Sequence, residues 1–149
     1  MYIIFKNLID RIFAIFLLTI LLPLLIVIAF VVRISMGRPI FFTQQRPGLH
    51  GIPFKLIKFR TMSNNIYKNE QLIPEYKRIN FVGKVLRELS LDELPEILNI
   101  LKGEMSFIGP RPLLMEYLPL YSRNQLKRHN VKPGLTGWAQ INGRNSIDW

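Results

Sequence analysis

The sequence predicts an α+β protein that is mostly helical, with an apolar N-terminal membrane helix followed by a small β-hairpin. Residues 12–32 contain no charged side chain, and a helix of that length reaches across the hydrocarbon core of a bilayer, about 30 Å. The remainder alternates apolar stripes at helical spacing with two β-rich runs that flank a turn rich in proline and glycine.

Composition excludes several kinds of site. The 149 residues include no cysteine, which rules out a disulfide framework and a thiolate metal site. His50 and His129 are far apart in the sequence and show no metal-ligand spacing, so we expect surface or structural roles for them. The sequence has neither a P-loop nor a Gly-x-Gly-x-x-Gly fingerprint, and ATPase and dinucleotide-binding functions lose their usual support.

The net charge of +10 is unevenly distributed. Residues 1–62 hold eight Lys/Arg against one acid, whereas residues 63–149 hold twelve against nine. Such an excess suits nucleic acid or an anionic membrane. Because the more basic part contains the apolar segment, we expect a membrane partner and no nucleic acid.

Two topologies are compatible with the apolar segment. A single spanning helix is the default for such a run. Pro23 lies near its midpoint, where it removes a backbone hydrogen bond and favours a kink. Lys6 and Arg11 precede the segment, and Arg33 and Arg38 follow it. Because basic flanks tend to stay cytoplasmic, a re-entrant helix broken at Pro23 would satisfy both ends. The residues alone leave both topologies open.

Two strands are predicted over 40–43 and 54–61, on either side of the turn-rich residues 46–51. Period-two spacing places Lys58 and Arg60 on one face of the second strand. That face is either solvated or directs two cations towards phosphate groups. The polar residues 63–80 show no clear period and predict a mobile loop.

A helix predicted over 81–89 brings Arg87 close in sequence to the neighbouring acids Asp92 and Glu93. Ser90 and Glu93 fit a capping box, which is a purely structural interpretation. Adjacent carboxylates repel each other unless cations or a metal offset them, so the nearby arginine favours an ionised, chemically active pair. A further helix is predicted over 94–101, with Gly103 as its stop.

Arg111 lies in a stiff turn between Pro110 and Pro112. A pre-ordered guanidinium binds phosphate bidentately, although an arginine in a structural turn is an equally good interpretation. Residues 122–129 predict a short basic helix with a capping box. Residues 132–144 are rich in turns, where glycine permits close approach of a ligand and Trp138 can stack on a base or sugar. The candidate substrate contacts in this tail are Pro133, Gly134, Thr136, Trp138, Gln140 and Arg144.

Taken together, these segments resemble the bacterial sugar transferase family, small monotopic enzymes that load a sugar 1-phosphate onto a polyprenol phosphate. Among its members, the sequence most resembles the minimal enzymes that use N,N′-diacetylbacillosamine 1-phosphate. The motifs that carry the resemblance follow in family order and cover the chain almost from end to end: Phe42–Gly48, Lys58–Met62, Leu89–Pro95, Lys102–Pro112 and Lys132–Arg144.

The resemblance implies a two-step reaction. Asp92 attacks the phosphate of a UDP-sugar, releases UMP and holds the phosphosugar until undecaprenyl phosphate accepts it. Glu93 is implied as the second catalytic residue and as the ligand of Mg²⁺. Cations at Lys58, Arg60, Arg87 and Arg111 are implied to bind substrate phosphate or offset charge on the transferred group.

The resemblance also implies an organisation in two parts. Residues 1–38 form a re-entrant membrane helix in the bacterial inner membrane, and residues 39–149 form a catalytic domain that faces the cytoplasm. Here Leu22 precedes Pro23, where family members often have serine. Relatives also continue beyond the position of Trp149, which predicts a chain truncated at its C-terminus. The alternative function is therefore an inactive, membrane-anchored binding protein.

Overall fold

The computed structural model describes residues 2–63, 67–68, 71–72 and 74–142. Its helices are α1 Tyr2–Met36, α2 Glu75–Arg78, α3 Phe81–Glu88, α4 Ile97–Lys102, α5 Arg123–Leu126 and α6 Trp138–Ile141. Its strands are β1 Phe41–Pro47, β2 Pro53–Phe59, β3 Tyr67–Lys68, β4 Gln71–Leu72, β5 Ser106–Ile108 and β6 Gly134–Thr136. Turns of 3₁₀ helix lie at Leu49–Gly51, Leu91–Glu96, Met115–Leu120 and Lys127–Asn130.

The described residues form two compact units. The first unit takes its residues from Met1–Thr19, Thr43–Leu56 and Glu96–Trp149, and the second from Ile20–Phe42 and Ile57–Pro95. Neither unit follows the predicted boundary after residue 38. The division into a membrane part and a cytoplasmic part stays a prediction, because it concerns the bilayer rather than packing within the chain.

Helix α1 confirms the long apolar helix. Its segment Ile3–Met36 is long and apolar enough to cross a membrane by length and composition, and only 11% of its most apolar window is buried. Pro23 lies inside the helix, which continues on both sides of it. The structure does not show the predicted re-entrant break. Most large apolar side chains of α1 remain exposed, which is unfavourable in water and suggests association with a membrane.

Strands β1 and β2 pair as the predicted hairpin, with the 3₁₀ turn Leu49–Gly51 between them. His50 in that turn has a φ of 56°. Within residues 63–80, where the sequence predicted a loop, the described part contains β3 paired antiparallel with β4, and then α2. Strands of two residues are too short to leave a period in the sequence, and only pairing with a neighbour defines them.

The core of the second unit lies where three elements meet. Ile28 and Val32 from α1 pack with Phe59 from β2 and Leu86 from α3, and all four are buried. Phe41 stacks on Phe59 with ring centroids 5.4 Å apart. Each buried aliphatic or aromatic side chain of this kind stabilises the fold by about 1.5–3 kcal/mol. This core therefore fixes the end of β2, which carries Lys58, and the helix α3, which leads into residues 91–96.

The first unit contains a parallel pairing of β5 with β6, in which Ser106 lies opposite Gly134 and Ile108 opposite Thr136. Helix α4 ends at Gly103, whose φ of 83° is left-handed, and this confirms the predicted stop. The capping box of Ser122 with Gln125 is also confirmed at the start of α5. The predicted helix over 122–129 divides there, because residues 127–130 tighten into a 3₁₀ turn.

Candidate active site

Asp92 and Glu93 lie in the first turn of the 3₁₀ helix Leu91–Glu96, and regular α-helix begins only at Ile97. Leu91 and Leu94 are one 3₁₀ turn apart and both pack against the core of the second unit. Because these two leucines occupy the face that packs on the core, the side chains of Asp92 and Glu93 between them point away from that core. Pro95 fits inside this turn, where a missing N–H costs little.

Glu93 forms an ion pair with Lys58 from β2. The Lys58 ammonium nitrogen lies 2.7 Å from Oε1 of Glu93, and the two side chains are only 18% and 13% exposed. A charge-assisted hydrogen bond of this length between mostly buried side chains is stronger than a surface ion pair. Lys58 therefore lies beside the two acids, and its predicted role in binding substrate stays a prediction.

The carboxyl of Asp92 is half-buried among other charged groups. Burial raises the pKa of Asp92 above its ordinary value, because removal from water disfavours the charged form. Lys58 acts in the opposite direction, Glu93 raises the pKa further, and Arg87 lowers it. The structure thus brings together two acids and two cations that the sequence had placed in three separate segments.

Arg87 is held in position by Thr61, a residue that sequence reasoning missed. Nε of Arg87 donates to Oγ1 of Thr61 at 2.9 Å, and Thr61 is 6% exposed. Gly83 lies in α3 one helical turn before Arg87, and a Cβ on it would lie 2.0 Å from the Thr61 carbonyl oxygen. Gly83 therefore lets α3 approach Thr61 closely enough for the hydroxyl to orient Arg87. Thr61 directly follows Arg60 in the motif Lys58–Met62. That position in the motif was the sequence signal that could have identified Thr61.

Arg60 was predicted to bind phosphate, but its guanidinium hydrogen-bonds to backbone carbonyls. Its guanidinium donates to the carbonyls of Arg38 at 3.0 Å and Gly37 at 2.9 Å, and to that of Met36. These are carbonyls at and just beyond the C-terminal end of α1, where a cation is favourable. Arg60 is only 4% exposed. These contacts give Arg60 a structural role, and its binding to substrate phosphate stays a prediction without a contact to support it.

In the first unit, Arg111 is exposed and lies near Arg46, a half-buried arginine that the sequence did not single out. Arg46 donates to Oε1 of Gln44 at 2.7 Å and to the Pro112 carbonyl at 3.3 Å. Burial lowers the pKa of Arg46, and the positive charge of Arg111 lowers it further. The backbone of Arg111 is fixed as well, because its carbonyl accepts a hydrogen bond of 2.8 Å from Arg128.

The tail packs by close backbone contact with residues 109–110. A Cβ on Gly134 would lie 2.1 Å from the Gly109 nitrogen, and one on Gly137 would lie 2.2 Å from the Gly109 oxygen. The Gly134 N–H also donates to the Pro110 carbonyl at 3.0 Å. Pro133 and Gly134 are buried, whereas Thr136 is exposed. This close packing therefore explains why residue 134 is a glycine. A contact between Gly134 and substrate stays a prediction.

The remaining tail candidates differ in accessibility. Trp138 is 79% exposed, so its indole is available for the predicted stacking. Both polar side-chain atoms of Gln140 are buried without a hydrogen-bond partner. Arg144 lies outside the described residues.

The two histidines, distant in sequence, line one cavity of about 360 Å³ together with Gly51, Leu118, Leu126 and Asn130. His129 is 8% exposed, and burial lowers its pKa, so the neutral imidazole is favoured. In the part of the chain that the structure describes, no three His, Cys, Asp or Glu side chains converge to hold a metal.

The carboxylate of Glu93 nevertheless fits Mg²⁺ that arrives with a substrate. Mg²⁺ in phosphate-transfer sites commonly uses one or two carboxylates, with waters and substrate phosphates completing the shell. Glu93 supplies one such carboxylate. An ion held by protein groups alone would need more ligands than converge among the residues described here.

Comparison with known proteins identifies relatives along the whole chain. The sequence profile of the family described as "Bacterial sugar transferase" matches residues 1–149. The "Uncharacterized sugar transferase EpsL" of Bacillus subtilis (strain 168) is 54% identical over 146 residues, which are 98% of this chain and 72% of that protein.

Two further relatives have names that state a substrate. A "UDP-glucose:undecaprenyl-phosphate glucose-1-phosphate transferase" of Escherichia coli (strain K12) is 40% identical over 141 residues, 90% of this chain and 30% of that protein. A "UDP-N-acetylgalactosamine-undecaprenyl-phosphate N-acetylgalactosaminephosphotransferase" of Aeromonas hydrophila is 38% identical over 127 residues, 80% of this chain and 29% of that protein. The chain thus spans under a third of either protein. The more specific likeness to the N,N′-diacetylbacillosamine enzymes is not confirmed by these relatives.

Proposed function

Because the chain belongs to the bacterial sugar transferase family, we propose that it moves a sugar 1-phosphate from a UDP-sugar to undecaprenyl phosphate, with Asp92 as the nucleophile. The observation that carries the proposal is the environment of Asp92. Burial raises the pKa of this half-buried carboxyl, and the positive charges of Lys58 and Arg87 lower it. The names of two relatives, which state undecaprenyl phosphate as the acceptor, support it.

The proposed reaction has two displacements at one phosphorus. An oxygen of the Asp92 carboxylate bonds to the phosphorus that carries the sugar, the bond from that phosphorus to the bridging oxygen breaks, and UMP leaves with the electron pair. An oxygen of undecaprenyl phosphate then attacks the same phosphorus. The bond to Asp92 breaks, which returns the carboxylate to its starting state.

The groups around Asp92 suit this chemistry. A raised pKa makes the carboxylate a better nucleophile once it is ionised, and the two cations keep the ionised form accessible near neutral pH. Arg87, oriented by Thr61, presents a planar guanidinium that can stabilise charge on the transferred phosphoryl group. Mg²⁺ held by Glu93 would neutralise charge on the pyrophosphate. Contacts of Arg111, Pro133, Thr136, Trp138, Gln140 and Arg144 with substrate rest on the sequence patterns and the resemblance.

We also propose that α1 is re-entrant, which makes the protein monotopic. Lys6, near the start of α1, donates to Oγ of Ser106. Of the residues described, only α1 is long and apolar enough to span a membrane, so the described residues after Met36 stay on one side of it. A contact between Lys6 and Ser106 is compatible with that only if both ends of α1 lie on the same side. Basic flanks at both ends favour the cytoplasmic side of the inner membrane.

The function is tested with the full chain purified in detergent, undecaprenyl phosphate, Mg²⁺ and radiolabelled UDP-sugars, beginning with UDP-glucose and UDP-N-acetylgalactosamine. We expect release of UMP, labelled lipid product, and an adduct on Asp92 with the mass of the phosphosugar when the acceptor is omitted. The Asp92→Asn variant should give neither product nor adduct. Lipid product at equal rates from both proteins would exclude Asp92 as the nucleophile.

A further inference from the structure

A group of charged side chains in the first unit is not used by the proposed reaction. Lys6, Asp10, Arg11 and Lys132, here called the Asp10 cluster, combine the start of α1 with the residue that precedes Pro133. Lys6 donates to Oδ2 of Asp10 at 3.0 Å, and Oγ of Ser106 lies 2.8 Å from the same oxygen. Asp10 is 8% exposed and Ser106 is 2% exposed.

The two other cations lie close to this pair. A Cβ on Gly103 would lie 2.6 Å from Nη2 of Arg11, so the guanidinium rests directly against the end of α4. The backbone next to Lys132 is anchored beside Ser106, because the Ser106 N–H donates to the Pro133 carbonyl at 2.9 Å. Burial lowers the pKa of Lys132, Arg11 and Lys6 lower it further, and Asp10 raises it.

The charges of the cluster do not balance. It holds three cations against one carboxylate, and that carboxylate already accepts from Lys6 and lies beside the Ser106 hydroxyl. The positive charges of Arg11 and Lys132 repel each other and have no acid of their own within the cluster. Arg11 is exposed and Lys132 is half-buried, so an anion can reach both from solvent. A bound phosphate would offset this repulsion and accept hydrogen bonds from both side chains.

The position of the cluster indicates where that phosphate comes from. Arg11 is the last charged residue before the uncharged segment 12–32, so it lies at the level of lipid headgroups when α1 enters a membrane. Phe13, two residues further, packs edge-on against Phe107 with centroids 5.1 Å apart. The uncharged part of α1 therefore begins directly beside the cations.

We propose that Arg11 and Lys132 bind the phosphate of an anionic membrane phospholipid, at a site that does not include Asp92. The site holds the start of α1 and the residues just before β6 at the headgroup layer. It depends on insertion of α1 into a membrane but not on phosphosugar transfer by Asp92.

The test uses the full chain in neutral detergent, with retained lipid measured by native mass spectrometry. We expect the wild type to retain phosphatidylglycerol and not diacylglycerol, which lacks the phosphate. The Arg11→Gln/Lys132→Gln variant should bind phosphatidylglycerol at least about tenfold more weakly, because two charge-assisted hydrogen bonds are lost. The matched control, Arg123→Gln/Lys127→Gln, removes the same charge from the exposed helix α5 and the turn after it and should bind like the wild type.

A variant with the opposite effect keeps the test decisive if the double variant folds poorly. Asp10→Asn removes the acid of the cluster and keeps an acceptor for Lys6 and Ser106, so we expect tighter retention of phosphatidylglycerol. Equal retention by the wild type, the Arg11/Lys132 variant and Asp10→Asn would overturn the proposal. Binding of inorganic phosphate as strong as that of phosphatidylglycerol would also overturn it, because the lipid would then contribute nothing.

Discussion

Lys58 and Glu93 form a 2.7 Å ion pair that joins β2 to the 3₁₀ helix carrying Asp92. The two partners affect Asp92 in opposite ways, since Lys58 lowers the pKa of that carboxyl and Glu93 raises it. The pair therefore sets the charge around the proposed nucleophile as well as joining two elements. Removing Lys58 takes one positive charge away from both acids, which makes Lys58 the most informative position to change.

Lys58→Gln should shift the pH dependence of the reaction. Without the ammonium, the pKa of Asp92 rises further, so the acidic limb of kcat/KM should move to higher pH. The measurement is UMP release across the pH range at low donor concentration. Lys55→Gln, an exposed lysine on the same strand, is the matched control and should leave the limb in place. An unchanged limb in Lys58→Gln would contradict the assignment of Asp92 as the titrating group.

Asp92→Asn should abolish turnover and stabilise the fold at neutral pH. Loss of a nucleophile lowers kcat by about three orders of magnitude or more. Because the folded-state pKa of Asp92 is raised, the folded state binds the proton more readily, and stability falls as pH rises from 3.8 through the folded value. Above that window the full cost of a buried charge is present, and asparagine removes it.

Thermal unfolding at pH 7 and at pH 3 measures the effect of Asp92→Asn. The gain in unfolding temperature should be present at pH 7 and should shrink at acidic pH, where the carboxyl is neutral in both states. Glu88→Gln changes an acid that is 62% exposed and should give no comparable gain. A lower unfolding temperature for Asp92→Asn at pH 7 would mean that the carboxylate is a net stabiliser, against its raised pKa.

Thr61→Val should act through Arg87. The methyl group cannot accept the hydrogen bond from Nε, so the guanidinium loses its orientation while the shape of the side chain is kept. We expect kcat to fall by about tenfold with a smaller change in KM, since the interaction strengthens in the transition state. Thr61→Ser retains the hydroxyl and should restore most of the rate. If valine and serine variants behave alike, Thr61 only fills space.

Gly83→Ala should destabilise the second unit. The added methyl would lie 2.0 Å from the Thr61 carbonyl oxygen, so α3 must move away from the end of β2. Overpacking of this kind costs about 1–3 kcal/mol. Lys84→Ala, on the exposed side of the same helix, is the control. Chemical unfolding of both variants checks the prediction, and equal midpoints for Gly83→Ala and the wild type would show that α3 does not pack as closely as described.

Cysteine labelling should place both ends of α1 on the cytoplasmic side. The native chain has no cysteine, so Ile4→Cys and Arg38→Cys each introduce a single thiol. With a reagent that does not cross the membrane, we expect no labelling of either variant in intact cells and labelling of both in inverted vesicles. Labelling of Ile4→Cys in intact cells would establish a spanning helix in place of the re-entrant one.

The sequence predicted the features that depend on neighbours along the chain. The long helix, the hairpin, the stop at Gly103 and the capping box at Ser122 were all predicted from composition, spacing or a local hydrogen bond. Asp92 and Glu93 were selected because their adjacency is itself a local pattern. The motif around Lys58 indicated that cations belong to the site, but not which of them reaches the carboxylates.

Tertiary structure decided which side chains meet. Lys58 and Arg60 belong to one run and were expected to act together, yet Lys58 pairs with Glu93 and Arg60 caps the end of α1. Thr61 became important only because Gly83 allows α3 to approach it. Sequence patterns record helical or strand periods and local capping, whereas burial, pKa shifts and long-range hydrogen bonds arise only when separate segments pack together and exclude water.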